Sequence, residues 1–439
     1  MKKSIFIVIA ALFFSSLTFA QIRPTDQTGI NVFEGDKVLD TEFNGLKVDI
    51  GGAFTQGYQT LNHSNTAAPK LVGLPAVDQN KLVSLVPGFN LASANLIFNT
   101  HLADGIILNM ELYLSSRHHN ETWVKGGYIQ FDKLPFIHVD LLDNIMKFTT
   151  IKVGQMEVNY GDAHFRRSDN GKSIYNPFIE NNIMDEFATE IAAEADFHYK
   201  GFIGVASITD GQLNSNIVET APVANATDGV HKPVFIGKIG YDKQLSQDLR
   251  VRLTGSVYST AGSLNSTLFG GDRTGSHYFG VMDYLSPSTS NAFSGRYNPG
   301  MTDKLTTFMG NLFVKFHGLE WFSTLESATG RAKAEITGDR NATQLATDLV
   351  YRFGKNENFW LGARYNTMTA GTTVASALTP VAGGNVTINR EAISAGWFMT
   401  KNVMTKLEYV NQDYNNFASN SILNGGNFKG FLLEAVVGF

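Results

Sequence analysis

The chain closes with Phe428-Lys-Gly-Phe-Leu-Leu-Glu-Ala-Val-Val-Gly-Phe439. Phe431, Leu433, Ala435, Val437 and Phe439 fall on one side at a period of two, and the last of them carries the terminal carboxylate. Period two marks a strand with one apolar and one polar face. A strand that closes a barrel has this form: it pairs with the first strand so that no edge stays open, and it turns its apolar face to lipid. The alternation recurs upstream. Ile106, Leu108, Met110, Leu112 and Leu114 oppose Asn109, Glu111 and Tyr113. Ile191, Ala193 and Phe197 oppose Glu190, Glu194 and Asp196; Leu249, Val251 and Leu253 oppose Arg250 and Arg252; Leu407 and Tyr409 oppose Lys406 and Glu408. Charges recurring on one face would be costly in a dry core. Facing a water-filled lumen they carry no such cost, so Glu111, Glu190, Glu194, Arg250, Arg252, Arg352, Arg364, Lys406 and Glu408 are expected to face the lumen.

The connections support the same reading. Short turns at 103–105, 199–201, 317–318, 354–358 and 400–402 alternate with long polar loops at 59–88, 210–232, 263–303, 329–342, 370–388 and 412–427. Outer-membrane barrels alternate in this way, with short turns on the periplasmic side and long loops outside. Strands are expected at 45–58, 89–103, 105–115, 122–132, 147–160, 188–199, 201–210, 233–243, 249–261, 304–316, 318–328, 343–353, 358–369, 389–400, 402–411 and 428–438. That is sixteen, with eighteen as the alternative if 262–303 hides a further pair around His277–Tyr284. His138–Met146, in a longer periplasmic connection, reads as a short helix. The expected fold is all-β, a transmembrane antiparallel up-and-down β-barrel, and barrels of this size leave an aqueous channel.

The N-terminus reads as an export signal. Lys2 and Lys3 precede an apolar run from Ile5 to Phe14, and Thr18-Phe19-Ala20 offers a cleavage site after Ala20. The run is too short to cross a bilayer, which takes about 20 residues. The expected organisation is a signal peptide over 1–20, a periplasmic segment over 21–44 and a barrel over 45–439. Nothing after Ala20 approaches eighteen consecutive apolar residues, which excludes a helical membrane protein. With no cysteine there is no lipid-modified N-terminus, disulfide or thiolate–metal site. A charged fraction of 17% beside 42 Gly and 32 Phe suits a barrel whose two faces average out, and the net charge of −5 without a basic run gives no nucleic-acid signal.

The third outside loop, 161–187, is expected to fold inward and narrow the pore, with Asp162, His164, Arg166, Arg167 and Asp169 at the constriction and Phe165, Tyr175, Phe178 and Ile183 docked on the wall. Guanidinium forks suit anions; the competing role for Arg166 and Arg167 is a loop-anchoring salt bridge to Asp162, Asp169 or Glu180. His118-His119-Asn120-Glu121 and Asp162/His164 hold ligand types, but without a second supporting cluster no metal is expected, and no cofactor. Trp123, Trp321, Trp360 and Trp397 read as interface girdles. No Gly-x-Ser-x-Gly occurs, and an enzyme is not expected. The rival readings are a plugged structural or adhesive barrel and, further off, a barrel-borne hydrolase. That only 21–44 precede the first strand favours an open lumen.

Several stretches carry a family resemblance: Val153-Gly-Gln-Met-Glu-Val-Asn-Tyr-Gly161, Phe165-Arg-Arg-Ser-Asp-Asn-Gly171, Asn176-Pro-Phe178, Ser294-Gly-Arg-Tyr-Asn-Pro-Gly300 and Glu434-Ala-Val-Val-Gly-Phe439. In these the chain resembles the phosphate-selective porin O and P family of Gram-negative outer membranes. The resemblance implies an outer-membrane barrel, usually a homotrimer, that passes small hydrophilic solutes or ions, anions such as phosphate among them. Separately, the terminal Phe439 on such a strand resembles the signal that the outer-membrane insertion machinery reads. The partners expected are therefore outer-membrane lipid, that machinery, solutes and further copies of the chain. In phosphate-selective members the pore carries a ladder of arginines and a cluster of lysines. Here the basic residues are interspersed with Glu111, Glu190, Glu194, Asp196, Asp348 and Glu408. A ring of one sign sets ion preference, so this mixture predicts a weakly selective lumen.

Overall fold

The structure, a computed structural model, describes residues 23–35, 43–116, 121–168, 170–212, 232–263, 265–271, 275–284, 294–335, 338–372 and 384–439. The barrel strands are β1 (Lys47–Ser64), β2 (Ser93–Ala103), β3 (Ile106–Ser115), β4 (Trp123–Phe131), β5 (Thr149–Glu157), β6 (Thr189–Tyr199), β7 (Phe202–Thr209) and β8 (Val234–Gln244). They continue as β9 (Leu249–Thr260), β10 (Lys304–Phe316), β11 (Leu319–Arg331), β12 (Arg340–Phe353), β13 (Phe359–Gly371), β14 (Asn385–Thr400), β15 (Val403–Asn415) and β16 (Asn427–Gly438). Each pairs antiparallel with the next, and β1 pairs with β16 from Ala53 opposite Gly438 to Ser64 opposite Asn427, which closes the ring. A short helix, α1 (Asp140–Met146), lies between β4 and β5.

All sixteen strands expected from the sequence are present. Exposure alternates along them: on β12, Gln344, Asp348 and Arg352 are buried toward the lumen while Leu345, Leu349 and Tyr351 are exposed outward. Several strands run further at the loop end than the apolar pattern predicts. β12 begins at Arg340, β14 at Asn385, and β15 continues to Asn415. Their outward residues there are polar (Asn341, Thr343, Thr387, Asn411, Asp413), so hydrogen-bonded ladders extend above the apolar belt and the period-two signal fades before the strand does. At the other end the turns are tight. Lys200 at φ 51° and Gly201 at φ 92° supply the two left-handed residues that a right-twisted hairpin prefers.

A row of outward aromatics rings the short-turn end: Tyr351, Phe353, Phe359 and Trp397 stack in sequence with centroids 6.1, 5.7 and 5.9 Å apart. Trp321 and Trp397 are exposed, as a girdle requires. Trp360 is a correction. It points inward, is fully buried, and donates from Nε1 to the Pro177 carbonyl at 3.2 Å. Gly396 lies against its ring, where a Cβ would fall 1.9 Å from a ring carbon.

The eighteen-strand alternative is also corrected. Residues 275–284 do not span the wall; they fold into the barrel, where Tyr278, Val281 and Met282 are buried. Their apolar character serves the lumen and not the lipid. Of the segment expected at 21–44, residues 23–35 and 43–44 are described. Residues 23–35 form a strap inside the short-turn mouth, because Phe33 and Glu34 find there the burial and the counter-charges they need. Phe33 packs edge-on against Phe165 and Phe313, 5.7 and 5.4 Å away.

Candidate functional site

The main buried cluster lies within the barrel. Tyr160, just before the 161–187 loop, and Ile179, Ile183 and Met184 within it pack with Met309, Met368, Val386 and Ile388 of the wall and with Tyr278, Val281 and Met282. The loop leaves β5 through Gly161, whose φ of 69° and whose contact with the Met309 sulfur exclude a side chain. Beyond the turn its backbone has little secondary structure, so buried amides and carbonyls need partners from elsewhere. The wall supplies them. Lys406 Nζ donates to the carbonyls of Ser173, Asn176 and Phe178 at 3.1, 3.1 and 2.7 Å, and pairs with Glu434 at 2.9 Å. Glu408 accepts from the Ile179 amide at 2.8 Å and the Tyr278 hydroxyl at 2.6 Å. Arg390 donates to the carbonyls of Asn181 and Gly295, both at 2.6 Å. Gln344 both accepts from the Met184 amide and donates to its carbonyl, at 2.8 and 2.9 Å.

The nine residues expected to face the lumen do point inward, but they were expected to face water, and most are instead buried. Arg252 donates to Asp162 through Nε and Nη2 at 2.8 and 2.7 Å and to Glu34 at 2.6 Å. Arg364 makes a two-pronged bond to Asp348 at 2.7 and 2.8 Å, and Arg352 binds Glu320 at 2.8 Å. Glu190 is sealed beneath Tyr258, whose hydroxyl donates at 2.8 Å. Glu194 takes Lys152 at 3.1 Å; Glu111 takes Asn95 and Lys125 at 2.6 and 3.2 Å. Arg250 pairs with Asp242 and donates to the strap at the Asn31 carbonyl, at 3.0 Å. The physical reason is the loop: once it enters, the wall charges neutralise one another or its backbone.

The five constriction residues separate by role. Asp162 is an anchor that also accepts from Thr254 at 2.7 Å. His164 bonds Asn159 at 3.1 Å and stands 3.4 Å from Glu157. Arg167 is committed to Asp185 through both terminal nitrogens and lies 4.4 Å over the Phe187 ring. Among the described residues its anchoring partner is Asp185; of the three acids expected, Asp169 lies outside them. Arg166 is buried against Phe322, 4.8 Å from the ring centroid, with its nearest carboxylate, Glu320, at 3.8 Å. Asp169 and the His118–His119 pair lie outside the described residues. Sequence reasoning passed over Lys238, which binds Glu34 at 3.0 Å and the Gly161 carbonyl at 2.6 Å, and over Arg390. Strand parity could have found both: Lys238 follows Val234 and Ile236 on the inward face, and Arg390 lies between inward Ile388 and Ala392.

The filling is one-sided. Along β1–β6 runs a space of about 320 Å³, lined by Glu111, Lys125, Lys152, Glu157, Lys172 and Glu194 among others. A second, of about 880 Å³, opens at the short-turn mouth beside Asp248, Arg250, Lys315 and Lys401. The strap contributes to the walls of both, through Phe33 and Glu34 on one side and Gln27 and Asn31 on the other.

No protein-family model and no curated relative matches the chain. Among solved structures it is similar to the outer-membrane channel DcaP of Acinetobacter baumannii, at 12% identity and a TM-score of 0.49 over 91% of this chain and 99% of that one. It is similar to an anion-selective porin from Comamonas acidovorans, at 9% identity and a TM-score of 0.48 over 90% of this chain and 100% of that one. The trimer form of OmpT, an outer membrane protein of Vibrio cholerae, stands at 10% identity and a TM-score of 0.49 over 90% and 100%.

Proposed function

We propose that the chain is an outer-membrane porin that lets small hydrophilic solutes or ions diffuse through the side of its lumen bounded by β1–β6. The observation that carries this is the space along those strands, bordered by charges of both signs. In this reading the short turns face the periplasm, the signal peptide over 1–20 is removed on export, and Phe439 marks the closing strand for insertion. The trimer implied by the family resemblance belongs to the same proposal.

Phosphate is not singled out. Arg250, Arg252, Arg352 and Arg364 each bond a carboxylate, which leaves no ladder of unpaired guanidinium groups in that set and supports weak ion preference. Purified protein in planar bilayers is expected to give stepwise conductance that rises with salt, with reversal potentials near zero in a chloride or phosphate gradient. The competing reading, a plugged barrel, is favoured by the strap and by the apolar cluster that fills the opposite side. A barrel that stays silent at all voltages would establish it and sink the porin proposal.

A further inference from the structure

A third cavity, of about 20 Å³, lies within the folded loop, bordered by Arg166, Arg167, Asn181, Glu186 and Arg364 among others. A space of this size takes one water or one monatomic ion. His164 lines both this cavity and the wider space along β1–β6, so the two meet at its ring.

The guanidinium groups in this region are paired, with one exception. Arg167 is held by Asp185, Arg364 by Asp348, Arg352 by Glu320 and Arg296 by Glu180. Arg166 has no carboxylate of its own among the described residues. None of its three guanidinium nitrogens has a hydrogen-bond partner there, and the residue is only 4% exposed. Glu320, at 3.8 Å, is too distant for such a bond and is already taken by Arg352 at 2.8 Å. An arginine cannot shed its proton in a protein, so Arg166 cannot escape the cost of a buried, unpaired charge by becoming neutral. Glu186 does not supply the missing charge. Burial, with Glu326 and Asp185 nearby, pushes its carboxyl well above the usual range, so it stands protonated. The Asn181 amide nitrogen is also buried without a partner, whereas its oxygen is used by the Ser168 amide at 2.8 Å and the Ser168 hydroxyl at 3.2 Å. The cavity is thus bordered by a surplus cation and a spare donor, in an interior of the kind that pairs its polar groups.

We infer that this cavity holds a single monatomic anion of the halide class, bound by the Arg166 guanidinium and the Asn181 amide. A water fits the space and can accept the hydrogen bonds, but it leaves the charge of Arg166 uncompensated. Phosphate, sulfate and carboxylates bring the charge but exceed the space. A halide meets both conditions. It ties the first turn of the inward loop to the loop's far half, and it is a fixture of that loop and not a permeating solute. The inference therefore stands in a conducting or a silent barrel alike.

The lifetime of the full-length folded barrel in detergent tests it. Lifetime is read at one elevated temperature from the heat-modifiable gel band, in sodium chloride, sodium bromide or sodium gluconate at equal ionic strength. Wild-type protein is expected to last about tenfold longer in either halide than in gluconate, the scale of one charge-assisted hydrogen bond, with an effect that saturates as chloride rises. Asn181→Asp keeps the oxygen that Ser168 uses and puts a negative oxygen where the amide nitrogen was. It is expected to last as long in gluconate as wild type does in chloride, and to respond to neither halide. Arg166→Gln should likewise lose the halide response. Equal wild-type lifetimes in the three salts overturn the proposal without recourse to any variant and leave a water as the occupant. A halide response that survives in Arg166→Gln or in Asn181→Asp overturns it too, because the ion then acts elsewhere on the barrel.

Discussion

His277 shows how much one side chain of the inner loops can control. Its Nδ1 lies 2.6 Å from the Glu434 carboxylate of β16, and its amide donates to Glu180 at 2.6 Å. Burial opposes the charged ring, yet Glu434 and Glu180 outweigh it and raise the imidazole above its ordinary value, with Lys406 opposing them. A raised histidine stabilises the folded loop fully below the unfolded value of 6.5 and loses that contribution as pH rises through the folded one. Asp283 of the same loop, pushed up to about 6 by burial, completes its change lower on the scale. Within residues 275–284 the window above pH 7 therefore belongs to His277. A buried reporter, Val281→Cys, should label severalfold faster at pH 8.5 than at pH 7 relative to an exposed control, Ser246→Cys. His277→Gln should flatten that dependence; a flat wild-type profile would refute the pin. None of this could be read from the sequence, where His277 sits in a long polar loop with no periodicity. The inward set from Glu111 to Glu408 was legible because parity along a strand fixes facing. That Arg252, Lys406 and Glu408 bind a loop and not water was not, since their loop partners lie roughly 90 to 230 positions away, as Asp162 does from Arg252 and Ile179 from Glu408.

The strap is the element whose role is easiest to isolate. Residues 23–35 cross the short-turn mouth on three kinds of anchor: Phe33 among aromatic rings, Glu34 on Lys238 and Arg252, and the Gln27 amide on the Lys401 carbonyl at 2.8 Å. Removing 23–35 is expected to raise single-channel conductance while the barrel keeps its heat-modifiable mobility. Phe33→Ala, which removes a buried ring worth roughly 3–5 kcal/mol, should reproduce part of the gain as added current noise. Unchanged conductance in both proteins would show that the strap does not limit the path. Element by element, the strands were the legible part, because period two survives wherever one face meets lipid. The strap was not: a segment of thirteen residues without periodicity reads as a tail until its counter-charges, which come from β8 and β9, are in place.

At the scale of the whole molecule the prediction concerns sidedness. Protease added to intact cells is expected to cut the exposed loop around Leu71–Asp78 and to spare the turns between β2 and β3 and between β14 and β15. Cleavage at those turns on intact cells would invert the topology. The seam between β1 and β16 has a consequence for manufacture. Residues 53–64 meet residues 427–438, near the greatest separation this chain allows, so the ring can shut only after nearly all of it has been synthesised. Until that moment the sheet is a ribbon with two raw edges, each able to capture a neighbouring copy, and contacts this remote form slowly. The strap must also be inside before the ring shuts or enter through the mouth afterwards. The nascent protein is therefore expected to need escorts that shield both edges for most of its assembly, and loss of the final dozen residues should send it to aggregation and not to a fifteen-stranded pore.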